Sequence, residues 1–319
     1  MARHQPILQL DADVIGDALM GLLQPRKTLP PKLLYDETGC RLFGDITALP
    51  EYYLTRTELS ILRRLGPALR AHVPAQGWMV EYGASSSLKA ALVLRHLDRP
   101  AGYIPIDIAP DALAGVQADL HLDFPSLEIL PICADFLRPV ELPAPARDAL
   151  HFGFFPGSTI GNLEPAAATA FLRLARATLG PGALFLVGAD LRKPADRLLP
   201  AYDDAQGVTA AFNLNLLTRL NREAGANFDL DRFAHRALWN DAESRVEMHL
   251  VSLADQSVRL GRQHITFRRG ETIHTENSYK HAPEAFDRIA AAAGWRTIER
   301  WTDDDGLFAL TLLAGTPPA

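Results

Sequence analysis

An acid and a hydroxyl stand two residues apart near the end of the chain, in the stretch HTENSYKHAP at 274–283. Side chains alternate along a β-strand, so a strand here would place Glu276 and Ser278 on one face. The carboxylate accepts hydrogen bonds, whereas the hydroxyl both donates and accepts them. The pair therefore indicates either a solvated strand edge or one half of a polar recognition site, and these residues alone leave both interpretations open.

A second group of candidate side chains follows the ends of predicted strands. Gly83, Asp107 and Asp135 each come at or just after an apolar strand segment, and Phe136 follows directly. Ligands of open α/β sheets bind outside the carboxyl ends of the strands. There Asp107 can accept both hydroxyls of a ribose, and Asp135 can accept from an adenine amino group while Phe136 flanks the ring. The spacing predicts an adenosine site; the alternative is that the acids only cap the helices that follow.

The loop after the first of these strands indicates which kind of adenosine is bound. It reads GASSS at 83–87, with a single glycine. Neither G-x-G-x-x-G nor G-x-x-x-x-G-K-[ST], the patterns that cradle phosphates, is present. A nucleoside without phosphates fits better, and S-adenosylmethionine is the common one.

Alternating strand and helix patterns predict the fold that positions these residues. Strand segments separated by helical segments favour a parallel, doubly wound α/β sheet. The predicted strands lie within 78–87, 102–110, 127–136, 149–165 and 182–191. After residue 191 the pattern changes to helix over 195–224 and then to strands, and an insertion interrupts the sheet before a last helix and strand hairpin. The insertion and the N-terminal segment are candidates for a cap over the carboxyl edge of the sheet.

Composition excludes several other classes. The formal net charge of -6 gives no basic field for nucleic acid. No apolar run reaches the length of a membrane span, and the N-terminus lacks a signal-peptide pattern. Several histidines crowd the C-terminal region, but no spacing typical of metal ligands supports a metal site. We therefore expect a cytoplasmic monomer that binds no metal, nucleic acid or membrane.

The chain resembles the histidine Nα-methyltransferases of ergothioneine biosynthesis over nearly its whole length. The stretches that carry the resemblance include LLYDETGCRLFGDITALPEYYLTRTE, VEYGASSSLK, FPGSTIGNLEP, RLLPAYDDAQGVTAAFNLN, FDLDRFAHRALWN and TENSYK. The resemblance implies a class I methyltransferase, a doubly wound Rossmann-like sheet with an inserted α+β substrate-binding domain. The implied domains are an N-terminal helical segment (1–60), the core (61–193), the insertion (194–282) and the completion of the sheet (283–319).

The resemblance also implies which residues bind the cofactor and the amino acid. The positions that match the family's S-adenosylmethionine site are Tyr35, Gly83, Lys89, Asp107, Asp135 and Phe136. The positions that match its amino-acid pocket are Tyr52, Gly157, Asn162, Tyr202, Met248, Glu276 and Ser278. In the family, the asparagine and the tyrosine of PAYDDA hold the carboxylate, and the late glutamate and serine hold the imidazole. By itself, Asn162 is equally suited to cap the helix predicted near Glu164.

The implied reaction is trimethylation of the α-amino group of L-histidine to hercynine, with S-adenosylhomocysteine as by-product. Positioning is the main task, because the sulfonium already activates the methyl group. Tyr52 and Asn162 are the candidate catalytic residues; Tyr52, or a water held by Gly157 and Tyr35, would carry the amine proton away. The alternatives are another aromatic amino acid such as tryptophan and a regulator that binds S-adenosylmethionine without catalysis.

Overall fold

The computed structural model describes residues 7–8 and 14–316. The strands in chain order are β1 Ile7–Leu8, β2 Lys27–Thr28, β3 Trp78–Tyr82, β4 Gly102–Asp107, β5 Glu128–Ile129, β6 Ile132–Cys133, β7 His151–Phe155, β8 Leu184–Asp190, β9 Phe233–Asn240, β10 Arg245–Ser252, β11 Gln256–Leu260, β12 Gln263–Phe267, β13 Thr272–Tyr279, β14 Trp295–Thr302 and β15 Phe308–Gly315. The helices are α1 Val14–Leu22, α2 Glu37–Ala48, α3 Tyr53–Arg64, α4 Gly66–His72, α5 Ser87–Leu94, α6 Pro110–Asp123, α7 Pro165–Leu179, α8 Ala195–Leu198, α9 Val208–Glu223 and α10 Pro283–Ala292. Within these described residues, no helix is long and apolar enough to cross a membrane.

The chain divides into two compact units. Unit 1 contains residues 1–10, 54–192 and 280–319, and unit 2 contains residues 11–53 and 193–279. The predicted domain limits at residues 60, 193 and 282 stay predictions.

Unit 1 is built on a nine-stranded sheet of order β1-β6-β4-β3-β7-β8-β15-β14, with β5 also beside β4. All neighbours are parallel except β15, which is antiparallel to β8 and β14. The predicted doubly wound parallel sheet is confirmed. The third predicted strand is split into β5 and β6, because Pro131 between them has no N–H to donate.

Both faces of this sheet are buried, as a parallel sheet between helices requires. Along β3, Trp78 and Val80 join one apolar cluster and Met79 joins the other. Burial on both faces explains why the central strands read as continuous apolar runs. The carboxyl ends of β3, β4 and β7 are thereby fixed at one edge.

Unit 2 contains a four-stranded sheet of order β2-β13-β10-β9 and the separate hairpin β11–β12. β10 is antiparallel to β9 and β13, whereas β2 is parallel to β13, and α9 packs against β9 and β10. The predicted helix over 195–224 is confirmed as α8, a short 3₁₀ helix Leu199–Ala201 and α9. The strands predicted after this helix are also present, as β9 to β13.

A β-bulge in β13 decides which residues share a face. Glu276 pairs with Met248, but the next pair is His274 with His249, so Thr275 is the extra residue. The Thr275 hydroxyl donates to the Met248 carbonyl at 3.0 Å. Strict alternation would place His274 beside Glu276, and the bulge turns it to the opposite face instead.

Candidate active site

Unit 1 places Gly83 where the direction of the crossovers reverses. β3 pairs with β4 on one side and with β7 on the other, which makes its carboxyl end a switch point for ligand binding. Gly83 has φ +74°, which favours glycine, and a Cβ there would lie 3.8 Å from Cε1 of Phe136. The Phe136 ring packs edge-on against Phe155 with centroids 5.5 Å apart. Gly83 and Phe136, both predicted cofactor residues, are therefore neighbours.

The two predicted cofactor acids lie at the ends of β4 and β6. Oδ1 of Asp107 accepts from the Ala109 N–H at 2.8 Å, and Oδ1 of Asp135 accepts from the Leu137 N–H at 2.9 Å. Burial raises the pKa of Asp107 to about 6, although the backbone N–H groups of Ala109 and Ile108 act to lower it. Each acid makes a local turn contact, which still allows a ligand hydrogen bond because a carboxylate has two oxygens.

Lys89, the remaining predicted cofactor residue of unit 1, lies in the first turn of α5 and is ion-paired. Its Nζ lies 2.7 Å from Oε2 of the wholly buried Glu58. The Glu58 carboxylate also accepts from the Gly157 N–H at 2.9 and 3.1 Å. Sequence reasoning gave Glu58 no role, although it ends the LPEYYLTRTE stretch. It joins a predicted cofactor residue to a predicted substrate residue.

The loop after β7 has an unusual backbone. Gly157 and Ser158 both have positive φ, at +78° and +60°. The Ser158 hydroxyl accepts from the Asp190 N–H at 2.9 Å, and the Asp190 carboxylate pairs with the buried Lys280 at 2.9 Å. Glycine adopts a positive φ without strain, whereas the left-handed Ser158 is sterically costly, and strained residues of this kind cluster in ligand-binding loops.

Asn162 closes this loop as the last residue of the 3₁₀ helix Thr159–Asn162. Helix α7 begins at Pro165, and its N-cap residue is Glu164. Asn162 is therefore not the N-cap of that helix, so the alternative that it only caps α7 is excluded.

Unit 2 brings the predicted amino-acid residues of β10 and β13 to one face of its sheet, which we call the Glu276 face. Glu276 lies opposite Met248, and Ser278 lies opposite Val246. Their side chains share the face, as the sequence predicted, and all are less than a tenth exposed. The Tyr202 and Ser278 hydroxyls are hydrogen-bonded at 2.8 Å, and the Tyr35 hydroxyl donates to Glu276 at 3.5 Å.

Five aromatic rings of unit 2 gather beside these groups. Phe43, on α2, lies edge-on to Tyr35 at 5.8 Å and to Tyr52 at 6.3 Å. Tyr52 in turn lies 6.4 Å from Tyr202, and Tyr35 lies 5.7 Å from Phe212. The structure thus places Tyr35, predicted to bind the cofactor, among the predicted substrate residues. Sequence reasoning gave Phe43 no role, although it lies between Tyr35 and Tyr52 in one of the stretches that carry the family resemblance.

The opposite side of this sheet, the Glu247 face, carries Arg245, Glu247, His249 and His274. The His249 Nε2 lies 3.0 Å from Glu247 Oε2, and Arg245 donates to Oε1 at 2.8 Å. Burial raises the pKa of Glu247, but hydrogen bonds from Asn240, Arg245 and His249 outweigh it and lower the pKa to about 2. Burial lowers the pKa of both histidines.

Glu247, His249 and His274 each offer one ligand atom within 4.8 Å of the others. The two histidine rings, however, are stacked 4.7 Å apart and inclined by only 21°. Imidazole lone pairs lie in the ring plane, so nearly parallel rings do not aim at one shared ion. The Arg245 guanidinium beside the carboxylate further opposes a cation, and we interpret the group as a hydrogen-bonded cluster.

Comparisons with known proteins define the class first. A solved S-adenosylmethionine-dependent methyltransferase from Clostridium acetobutylicum superposes with a TM-score of 0.52 at 9% sequence identity, covering 87% of this chain and 99% of that chain. The fold is therefore that of class I S-adenosylmethionine-dependent methyltransferases.

The sequence then gives the family. The family described as "Histidine-specific methyltransferase, SAM-dependent" matches residues 14–315. The chain is 42% identical over 314 residues to a histidine N-alpha-methyltransferase of Mycolicibacterium smegmatis, covering 95% of this chain and 97% of that protein. It is 29% identical over 291 residues to ergothioneine biosynthesis protein 1 of Neurospora crassa, covering 87% of this chain and 32% of that longer protein. The chain belongs to the histidine-specific, S-adenosylmethionine-dependent methyltransferase family.

Proposed function

We propose that this protein transfers methyl groups from S-adenosylmethionine to the α-amino group of L-histidine until it is trimethylated. The product would be hercynine, formed in the first step of ergothioneine biosynthesis, with S-adenosylhomocysteine as by-product. The observation that carries the proposal is the Glu276 face, where a buried carboxylate and a buried hydroxyl lie side by side. Family membership supports the donor and the substrate.

The polar pair suits a neutral imidazole, which has one N–H and one acceptor nitrogen. Glu276 would accept from the N–H, and the Ser278 hydroxyl would donate to the other nitrogen. An indole offers an N–H and no acceptor, so tryptophan would leave the Ser278 hydroxyl without its ligand contact. Because unpaired buried polar groups are costly, such a site rejects analogues that cannot pair.

Unit 1 would hold the methyl donor. Asp107 would accept from the ribose hydroxyls and Asp135 from the adenine amino group, with Phe136 beside the base. Lys89, already held by Glu58 at 2.7 Å, would direct a remaining N–H at the carboxylate of the methionine part. Gly157 and Asn162 would bind the amino-acid substrate, with Asn162 and Tyr202 assigned to its carboxylate.

In each transfer the amine lone pair forms a bond to the methyl carbon as the carbon–sulfur bond breaks, and the bonding pair stays on sulfur. The amine must first be neutral, and the positive sulfonium favours this because like charges lower an amine pKa. The proton released at each of the first two methylations leaves through Tyr52 or through a water held by Gly157 and Tyr35. Histidine loses one further proton before the first transfer, because its ammonium form has no lone pair, and the third transfer releases no proton, because its product is a quaternary ammonium ion.

The product is a quaternary ammonium ion, which needs neutral surroundings that still attract a cation. Faces of Tyr35, Tyr52 and Phe212 would contribute about 0.5–2 kcal/mol each by cation–π attraction. These rings lie together in unit 2, and Tyr35 and Phe212 are 5.7 Å apart. No negatively charged base is required at the nitrogen.

The test is mass spectrometry of reactions that contain the protein, S-adenosylmethionine and each of the twenty amino acids in turn. We expect histidine alone to gain three CH2 units. Methylation of tryptophan but not histidine would overturn the substrate, and no methyl transfer to any amino acid would favour a regulator that only binds S-adenosylmethionine.

The proposal also includes a cytoplasmic monomer with a small-molecule substrate and no nucleic-acid partner. The net charge of -6 supports the last part, since nucleic-acid binding needs a basic surface. Light scattering after gel filtration would give the mass of a single chain, and the mass of a dimer would contradict this part.

A further inference from the structure

His235 lies on the Glu276 face of unit 2 but belongs to none of the predicted binding sets. It sits in β9 opposite Leu250, and β10 continues from Leu250 to Met248 on the same face. The His235 Nε2 lies 2.8 Å from the Tyr202 carbonyl oxygen, and Nδ1 lies 2.9 Å from Nδ2 of Asn213. The ring is thus held between a main-chain acceptor and a buried amide donor.

The partners fix the hydrogen positions on this ring. A carbonyl oxygen only accepts, so Nε2 carries the proton and donates to Tyr202. The Asn213 Nδ2 group also donates to the His249 carbonyl at 3.2 Å, which identifies it as the amino end of the amide. Nδ1 of His235 therefore accepts, and both contacts require the same neutral tautomer.

The Tyr202 main chain is held on both sides, because its N–H donates to the Leu199 carbonyl at 3.0 Å and its carbonyl lies 2.8 Å from His235. Tyr202 follows the 3₁₀ helix Leu199–Ala201 with φ -118° and ψ 0°, outside any helix or strand. Two residues on, Asp204 caps α9 by accepting from Val208 and Thr209 at 3.0 and 2.7 Å. His235 fixes the carbonyl at the start of this segment, and the Tyr202 side chain ends 2.8 Å from Ser278.

We propose that His235, oriented by Asn213, is a positioning residue for recognition of the amino-acid substrate. It holds the Tyr202 main chain and thereby keeps the Tyr202 hydroxyl 2.8 Å from the Ser278 hydroxyl on the Glu276 face, where both would meet the substrate. This inference rests on the proposed function, because it concerns the same substrate. His235 itself contacts neither substrate nor cofactor in this account.

Two substitutions separate the hydrogen bonds from the bulk of the ring. His235→Gln keeps both contacts, since its amide N–H can donate to Tyr202 and its oxygen can accept from Asn213. His235→Phe keeps the ring and removes both. In steady-state kinetics we expect the Phe variant to raise the histidine KM by about tenfold or more and the Gln variant by less than about threefold.

The S-adenosylmethionine KM is the internal control and should stay within about twofold in both variants, since its predicted residues outside Tyr35 belong to unit 1. A merely structural role would instead lower kcat through the active fraction and leave both KM values unchanged. An unchanged histidine KM in His235→Phe, or equal damage from Gln and Phe, would overturn the inference.

If His235→Phe does not fold, Asn213→Leu provides the second variant. It leaves the His235 ring in place and removes the donor that orients it, so we expect a smaller rise in histidine KM in the same direction. In a Tyr202→Ala background, His235→Phe should raise the histidine KM by less than about a further twofold, because the effects of residues that act through one another are not additive. Full additivity would contradict the proposed route through Tyr202.

Failure of the inference about His235 can be distinguished from failure of the proposed function. If the wild-type protein does not methylate histidine, the proposed function fails. If it does, and Ser278→Ala raises the histidine KM whereas His235→Phe does not, only the role of His235 fails.

Discussion

Both faces of the four-stranded sheet in unit 2 carry a glutamate on the same pair of strands, but the two carboxylates have different neighbours. Glu247 accepts from the guanidinium of Arg245 at 2.8 Å and from the amide of Asn240 at 2.9 Å. Glu276 has the neutral hydroxyl of Tyr35 at 3.5 Å, and Ser278 lies two residues along. The guanidinium beside Glu247 is a reason to assign that acid to the stability of the fold, and the place of Glu276 on one face with Ser278 is a reason to assign it to the ligand.

The largest expected effect separates these two acids. Glu276→Ala should weaken histidine binding by about 10- to 150-fold, since a hydrogen bond to a charged group contributes about 1.5–3 kcal/mol. Glu247→Ala, on the opposite face, should change histidine binding by less than about twofold. Calorimetric titration measures both variants with histidine and with S-adenosylmethionine.

Binding of S-adenosylmethionine should be nearly unchanged in both variants. Equal loss of histidine and S-adenosylmethionine affinity in Glu276→Ala would contradict the assignment of this face to the substrate. Equal loss of histidine affinity in the two variants would remove the difference between the faces.

Asp107 of unit 1 extends the comparison to a third acid, whose charge should affect only the binding of the cofactor. Its pKa is raised to about 6 by burial, and the ionised carboxylate is the form that accepts from both ribose hydroxyls. S-adenosylmethionine affinity should therefore fall as pH drops through 6, by about tenfold at pH 5. Titrations at pH 5 and 7 measure this, and Asp107→Asn should remove the dependence; a pH-independent wild-type affinity would contradict it.

A smaller effect is expected for the hydroxyl of the Glu276 face. Ser278→Ala removes one neutral hydrogen bond, which contributes about 0.5–1.5 kcal/mol, and should raise the histidine KM by about 2- to 12-fold. Asn277→Ala, the neighbouring residue on the other face, is the matched control, with less than about twofold expected. A rise in the histidine KM that is larger for Asn277→Ala than for Ser278→Ala would show that the face on which a side chain lies does not decide whether it binds the substrate.

The smallest effect on substrate binding, and a distinct effect on stability, is expected on the Glu247 face. The pKa of Glu247 is lowered from 4.5 to about 2, so its ionised form stabilises the fold above pH 4.5 and this contribution is lost as pH falls towards 2. Glu247→Gln should lower the free energy of unfolding by about 1–3 kcal/mol at pH 7. Urea unfolding of both proteins should show this difference shrinking below pH 4.5; a difference that grows there would have the wrong sign.

Most of unit 1 follows from sequence patterns. Continuous apolar runs bounded by turns predict the strands from Trp78 to Asp190, and the ends of those strands hold Gly83, Asp107 and Asp135 as expected. Such patterns report local burial and alternation. They do not report which distant side chains meet, which is why Glu58 acquired a role only in the structure, where it joins Lys89 to Gly157.

Unit 2 shows a second limit of sequence patterns. Alternation correctly places Glu276 and Ser278 on one face, but it would add His274 to them, and the bulge at Thr275 reverses that residue. A one-residue bulge has no strong sequence signal here, because it is fixed by the pairing with β10. The hydrogen bond between the Tyr202 and Ser278 hydroxyls joins residues 76 positions apart and is likewise set by tertiary packing. The roles of these site residues stay predictions.

The most direct test of the Glu276 face compares histidine with its two ring-methylated isomers as substrates of the wild-type protein. Neither isomer has a ring N–H in its neutral form, so both lose the contact to Glu276, and the isomer methylated on the nitrogen that faces Ser278 loses that contact as well. Both isomers keep the α-amine and the carboxylate. We predict that kcat/KM falls by about tenfold or more for both isomers, because a site that pairs both nitrogens rejects a ligand that cannot pair one. Methylation of either isomer as efficiently as histidine would contradict the account.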